Sequence, residues 1–148
     1  MDALELLKED HQRVSALFDQ IAQATLQVDR RRIFEQIRLE LEAHTYIEET
    51  VFYPAFQAKS EFQDLIEEAL VEHQEVKDLL QEIEDLDDGK DSEEFEDKID
   101  ELIDAVEQHV DEEENDLFPR IEAELDAQNL EELRVRLEEA KHDVSEAA

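Results

Sequence analysis

Apolar residues recur at alternating steps of three and four in four segments of the chain, the spacing of a helix that buries one seam in a bundle. In the first segment the seam runs Leu4, Leu7, His11, Val14, Phe18 and Ile21, so a histidine stands where a bundle would otherwise place a leucine. The second runs Ile37, Leu41, His44, Glu48 and Val51, and the third Phe62, Ile66, Ala69, His73, Val76, Leu80 and Ile83. The fourth runs Phe95, Ile99, Leu102, Val106, His109 and Glu113, again closing an apolar run with histidine and glutamate one helical turn apart. The pattern predicts an all-α chain folded as an antiparallel up-down four-helix bundle.

The two halves repeat. Asp10-His11-Gln12-Arg13-Val14 resembles Glu72-His73-Gln74-Glu75-Val76, and His44-x-x-x-Glu48-Glu49 before Phe52-Tyr53-Pro54 matches His109-x-x-x-Glu113-Glu114 before Leu117-Phe118-Pro119. Each half is thus a helical hairpin with one lone histidine and one His-x-x-x-Glu pair. Such a repeat predicts a pseudo-symmetric site in which each half supplies equivalent ligands to one of two metals. The heights agree, since His11 and His44 lie about equally far from the connection between them, roughly 20 Å at 1.5 Å per residue.

Boundaries are expected at the polar run Asp29-Arg30-Arg31-Arg32, at Ser60 with Gln63 as a capping box, and at Gly89 as a helix stop. Beyond Pro119 the stripe becomes Leu130, Leu133 and Leu137, which suggests a short C-terminal helix packed outside the bundle and a loose tail to Ala148. The division expected is therefore a bundle over 1–125 and a short helix and tail over 126–148.

Composition narrows the chemistry. The 148 residues suit one domain, and one Gly, two Pro and no Trp leave little turn chemistry. Fourteen basic against 46 acidic side chains give a formal charge of −32, a field that repels phosphate backbones and anionic membranes, so neither nucleic acid nor membrane is expected as a partner. The absence of cysteine removes disulfides, thiolate ligation and cysteine nucleophiles, leaving nitrogen and oxygen ligands for any metal. No signal-like start or spanning run is visible, and a cytoplasmic protein is the expectation.

Two ionised carboxylates in one core need compensation, and no seam carries a lysine or arginine to provide it. A metal can. Imidazole with carboxylate suits iron, manganese or zinc, and two carboxylates can bridge two cations.

The series His11, His44-x-x-x-Glu48, His73, His109-x-x-x-Glu113 resembles the hemerythrin-like, cation-binding HHE family over nearly the whole chain. Ferritin-like carboxylate proteins use the opposite order, Glu followed three residues later by His. The resemblance implies a hemerythrin-like bundle with His11, His44, His73 and His109 as terminal ligands and Glu48 and Glu113 as bridging carboxylates. It also implies two iron ions in a non-haem, oxo- or hydroxo-bridged di-iron centre, and the repeat predicts that His11 and His44 serve one iron and His73 and His109 the other. The oxygen-carrying members have a further histidine where this chain has Lys77, and their last acidic ligand lies five residues after the histidine, the place of Glu114. Glu113 is preferred here because it repeats Glu48. With one imidazole fewer, oxidation, peroxide chemistry or sensing gains over oxygen carriage.

The function expected is binding of dioxygen, peroxide or nitric oxide, with a protein partner if the chain is a sensor. The alternative is a structural or iron-storing metal bundle without small-molecule chemistry. Tyr53, which matches Phe118 in the repeat, is expected to pack, and Tyr46 to face elsewhere. Glu49 and Glu114 are either ligand-orienting or merely exposed, and His142 stands outside the site.

Overall fold

The computed structural model describes residues 1–86 and 92–147. Four long helices form the bundle: α1 (Ala3–Gln23), α2 (Gln27–Ile47), α3 (Ser60–Glu84) and α4 (Ser92–Glu112). α1 pairs with α2 and α3 with α4, so each half of the repeat is one hairpin. Every seam residue of the four expected stripes is buried. Among the described residues no helix is long and apolar enough to cross a membrane.

The first helix starts as its sequence directs, with the Asp2 carboxylate accepting from the Glu5 N–H at 3.0 Å. Other boundaries differ from expectation. The Asp29-Arg30-Arg31-Arg32 run lies inside the first turns of α2 rather than between helices. There Arg31 donates to the carbonyls of Ile83 (3.1 Å) and Leu86 (2.6 Å) at the end of α3 and stacks on Phe95, so the guanidinium ties the two hairpins together. Ser60 does not cap α3: Lys59 occupies the cap position without a side-chain bond, and the Gln63 amide turns back to the Gln57 carbonyl. Gly89 lies outside the described residues.

After the His-x-x-x-Glu pairs, both helices change winding. Residues Glu48–Phe52 and Glu113–Leu117 form π turns, in which the Tyr53 N–H reaches the Glu48 carbonyl and the Phe118 N–H the Glu113 carbonyl, five residues back. The cause follows directly in the sequence. Pro54 and Pro119 have no N–H to continue the four-residue ladder, so the chain tightens into a 3₁₀ turn at Tyr53–Ala55 and restarts as α5 at Phe118–Glu124.

The C-terminal segment corrects a further expectation. Instead of a short helix and loose tail, residues Ala127–Ala147 form one helix of 21 residues, α6, started by Asp126, which accepts from the Asn129 N–H. It packs along α1 and α2 and beside the first π turn. Leu130, Leu133 and Leu137 are buried in the same apolar cluster as Ala3, Leu4, Leu7, Ile47, Phe52 and Phe118. A second cluster, built on Phe18, Phe34, Ile37, Leu80, Phe95 and Leu102, fills the other end. The histidine layer separates the two.

α6 therefore closes one of the two cores. Leu137→Ala should cost about 2–5 kcal/mol in urea unfolding, whereas Val135→Ala on the outer face of α6 should change stability by less than about 0.5 kcal/mol. Equal, small losses for both would mean that α6 contributes nothing to the core.

Candidate metal centre

Four imidazoles and two carboxylates converge in the polar layer. The Nε2 atoms of His11 and His44 lie 3.2 Å apart, and those of His73 and His109 3.1 Å apart. Glu48 spans the two pairs, its Oε1 lying 3.2 Å from His44 Nε2 and 3.1 Å from His73 Nε2. Glu113 also reaches both pairs but through different oxygens, with Oε1 3.1 Å from His11 Nε2 and Oε2 3.4 Å from His109 Nε2. Glu48 is fully buried, and Glu113 nearly so. Two ligand-bearing groups result, one of His11, His44, Glu48 and Glu113 and one of Glu48, His73 and His109. His11 thus lies beside His44, and His73 beside His109.

Each imidazole is held from behind. His11 Nδ1 meets Glu114 at 2.6 Å, His44 Nδ1 meets Asp10 at 2.9 Å, His73 Nδ1 meets Glu49 at 2.8 Å and His109 Nδ1 meets Glu72 at 2.7 Å. A carboxylate only accepts, so each Nδ1 carries the proton it donates and each Nε2 faces inward, where it can hold a proton in the metal-free layer or offer a lone pair to a metal. The arrangement follows the two-fold repeat: Asp10 and Glu72 immediately precede the lone histidines, and Glu49 and Glu114 immediately follow the inner glutamates. Successive helical residues point about 100° apart, so each acid turns from its own ligand to reach the ring on a neighbouring helix.

Glu49 and Glu114 thus orient ligands rather than decorate a surface. Asp10 and Glu72 were not anticipated, although the acid before each lone histidine was legible in the repeat. Tyr53 corrects its expectation of packing alone. It is buried, and its hydroxyl donates to Glu113 Oε2 at 2.6 Å while lying 3.3 Å from Glu48 Oε1 and His73 Nε2. Phe118, its partner in the repeat, instead stacks on the His11 ring at 6.1 Å. Tyr46 is exposed, as expected, and Lys77 bonds Glu49 at 2.9 Å, behind His73. A further acidic group, Glu68, Glu72 and Glu112, flanks His109 at the surface.

The electrostatics call for positive charge in the middle. Burial pulls the His44 imidazole down, but Glu48 and Asp10 outweigh it and push it up to about 10. His109 is likewise lowered by burial and then raised by Glu113, Glu48 and Glu72, up to about 12. Burial would raise the Glu48 carboxyl, yet His44, His109 and His73 hold it well below the ordinary range. Protons on imidazoles thereby take the place a cation would fill. They fill it incompletely: Glu48 Oε2 is buried without a hydrogen-bond partner, and Glu113 Oε1 lies 3.1 Å from His11 Nε2 outside hydrogen-bond geometry. Two carboxylate oxygens without a hydrogen bond facing imidazole nitrogens fit bound metal, because a cation satisfies all of these lone pairs at once.

The ring of outer carboxylates has a measurable consequence. Glu49→Gln should weaken metal binding about 10–100-fold in chelator competition, while Glu48→Gln should abolish binding at one or both positions. Unchanged affinity in Glu48→Gln would remove that carboxylate from the ligand set. Tyr53→Phe should retain the metal and move the visible absorption of the loaded protein, since the hydroxyl touches Glu113.

Residues 2–121 match the model of the family described as the hemerythrin HHE cation binding domain. The chain is 30% identical over 149 aligned residues to a Nostoc protein named DNA nickase, covering 99% of this chain and 41% of that one. It is 29% identical over 119 residues to an uncharacterised hemerythrin-like protein of Schizosaccharomyces pombe, covering 79% and 58%. This chain therefore spans less than two thirds of either relative's length. The crystal structure of a hemerythrin HHE cation binding domain-containing protein from Mycobacterium kansasii superposes with a TM-score of 0.85 at 29% identity, over 99% of this chain and 89% of that one. Family match, fold and the buried histidine–glutamate layer agree, and the chain belongs to the hemerythrin HHE cation-binding family.

Proposed function

We propose that the chain is a non-haem di-iron protein that binds dioxygen or a related small molecule such as peroxide or nitric oxide. The observation that carries this reading is the convergence of four inward-facing Nε2 atoms and two carboxylate oxygens without a hydrogen bond on one buried layer. His11 and His44 would hold one iron and His73 and His109 the other, with Glu48 and Glu113 shared between them. When bound, iron supplies the electrons that binding or reduction of such a molecule requires.

The protein's own residues supply the surroundings. Asp10, Glu49, Glu72 and Glu114 fix the tautomer and orientation of the four rings. Tyr53 holds a proton at Glu113 Oε2, inside the layer, where burial and the charges of Glu113 and Glu48 keep the phenol from ionising. Against the four histidines lies a cavity of about 20 Å³ walled by Val14, Leu41, Val76, Val106 and Val110. That is room for a molecule about the size of one water. Its apolar wall favours a small uncharged diatomic over an ion.

Other uses of the same centre, sensing through a partner protein or consumption of peroxide, share these residues. A formal charge of −32 repels a phosphate backbone and argues against the DNA nicking named for the Nostoc relative. The experiment is anaerobic loading with ferrous iron, metal analysis, and visible spectra before air, after air and after oxygen removal. Two irons per chain with a band that forms and reverses support oxygen binding. A band that forms and decays, with peroxide consumed, supports oxidative chemistry. Redox-inert zinc in preference to iron, or no uptake at all, overturns the di-iron reading. Val76→Ile, which adds a methylene to the cavity wall, should keep the iron and slow the response to air.

A further inference from the structure

The apolar stripe of α6 does not end at Leu137. One turn later the same face presents Lys141, whose side chain is 27% exposed and whose ammonium contacts Asp10 Oδ1. Arg13 contacts the same oxygen. Asp10 is 99% buried at its side chain, and its other oxygen, Oδ2, accepts from His44 Nδ1. A continuous chain of contacts thus runs from the last helix, through one buried carboxylate, to one imidazole of the polar layer.

In the other half a single cation, Lys77, bonds the partly exposed Glu49 behind His73, and the counterpart of Asp10 has acids beside it. Glu72, the counterpart of Asp10, holds His109 in the same way, but its neighbours are Glu68 and Glu112, and the three carboxylates group together at the mouth of a surface cavity. The two halves are matched in their inner ligands and mismatched behind them, cationic behind His44 and anionic behind His109. A carboxylate anchored by two cations is restrained in position and less free to swing away from its ring.

We propose that Lys141 is a positioning residue of the metal centre, anchoring Asp10 so that His44 is held in place and the ion at His11 and His44 is the more slowly released of the two. The docking of α6 is thereby coupled to one metal position and not to the other. The second clause rests on the di-iron reading; the first does not, because the contacts exist without metal.

The experiment uses Lys141→Met, which keeps an unbranched apolar stem and removes the charge, Lys141→Arg, which restores it, and Glu72→Gln as the marker for the other half. In the metal-free protein, long-range proton–nitrogen correlation spectra of the imidazoles should show the His44 signals moved or broadened in Lys141→Met, those of His73 and His109 unmoved, and recovery in Lys141→Arg. In the iron-loaded protein, chelator should remove the ions in two phases. Lys141→Met should speed the slow phase roughly tenfold, within the range for outer-shell changes, and Glu72→Gln should speed the other.

Imidazole signals identical to those of the unaltered protein would overturn the positioning role whatever the metal does. Signals that shift while both phases quicken alike would overturn the selectivity and leave α6 as general packing. A chain that takes up no iron yet shows the His44 shift would sink the di-iron reading and the release order, and keep Lys141 as a positioning residue.

Discussion

Two buried glutamates facing one another across the middle of a helical bundle are the constraint on which the rest of this structure depends. Each loses the water that would solvate its charge, and neither seam offers a lysine or arginine to replace it. The fold answers with imidazoles. Four histidines surround Glu48 and Glu113, four outer carboxylates fix the histidines, and the resulting layer is charged enough to keep protons on rings that burial alone would strip. Protons leave two carboxylate oxygens without a hydrogen bond, and a cation would satisfy them. The apolar clusters above and below, closed at one end by α6, supply the burial that holds so polar a layer inside the protein.

The seams were legible because two periodicities coincide. Positions such as His44 and Glu48 fall on the same buried stripe as Ile37 and Leu41, so the residues with chemistry declare themselves as polar interruptions in an apolar pattern. The outer carboxylates are harder to read, since Asp10, Glu49, Glu72 and Glu114 lie beside the seam among 46 acidic residues. Their repetition, one acid before each lone histidine and one after each inner glutamate, was the available signal. Helix boundaries were the weakest reading. An arginine run is polar and so resembles a connection, yet Arg31 is used inside α2 to bond the carbonyls of Ile83 and Leu86, a contact 52 and 55 residues away that no local pattern contains.

Tyr53 shows where inference from a repeat reaches its limit. Alignment with Phe118 correctly placed the ring, since both aromatics sit just after a π turn and both touch the histidine layer. It said nothing about the hydroxyl, which has no counterpart in the other half and which bonds Glu113 across 60 residues of sequence. Equivalent backbones thus carry inequivalent chemistry. The π turns themselves follow from Pro54 and Pro119, and they let the chain place a glutamate inward and its neighbour behind a ring on another helix within two consecutive residues.

α6 breaks the symmetry of the bundle in a second way. A two-fold repeat of hairpins would give the two histidine pairs the same surroundings, but a fifth long helix can lie against only one pair of helices, here α1 and α2. Its stripe follows the rule that shapes the four seams, three leucines and then a charged residue, and the charged residue again lands on a partner of opposite sign. Asp10 is consequently shielded and cation-bound, while Glu72 remains near the surface beside Glu112, whose carboxyl it raises. The asymmetry does not begin with the types of the six inner residues, which the two halves share. It lies one contact farther out, where a helix that carries no inner ligand decides which of two equivalent imidazoles is the better anchored.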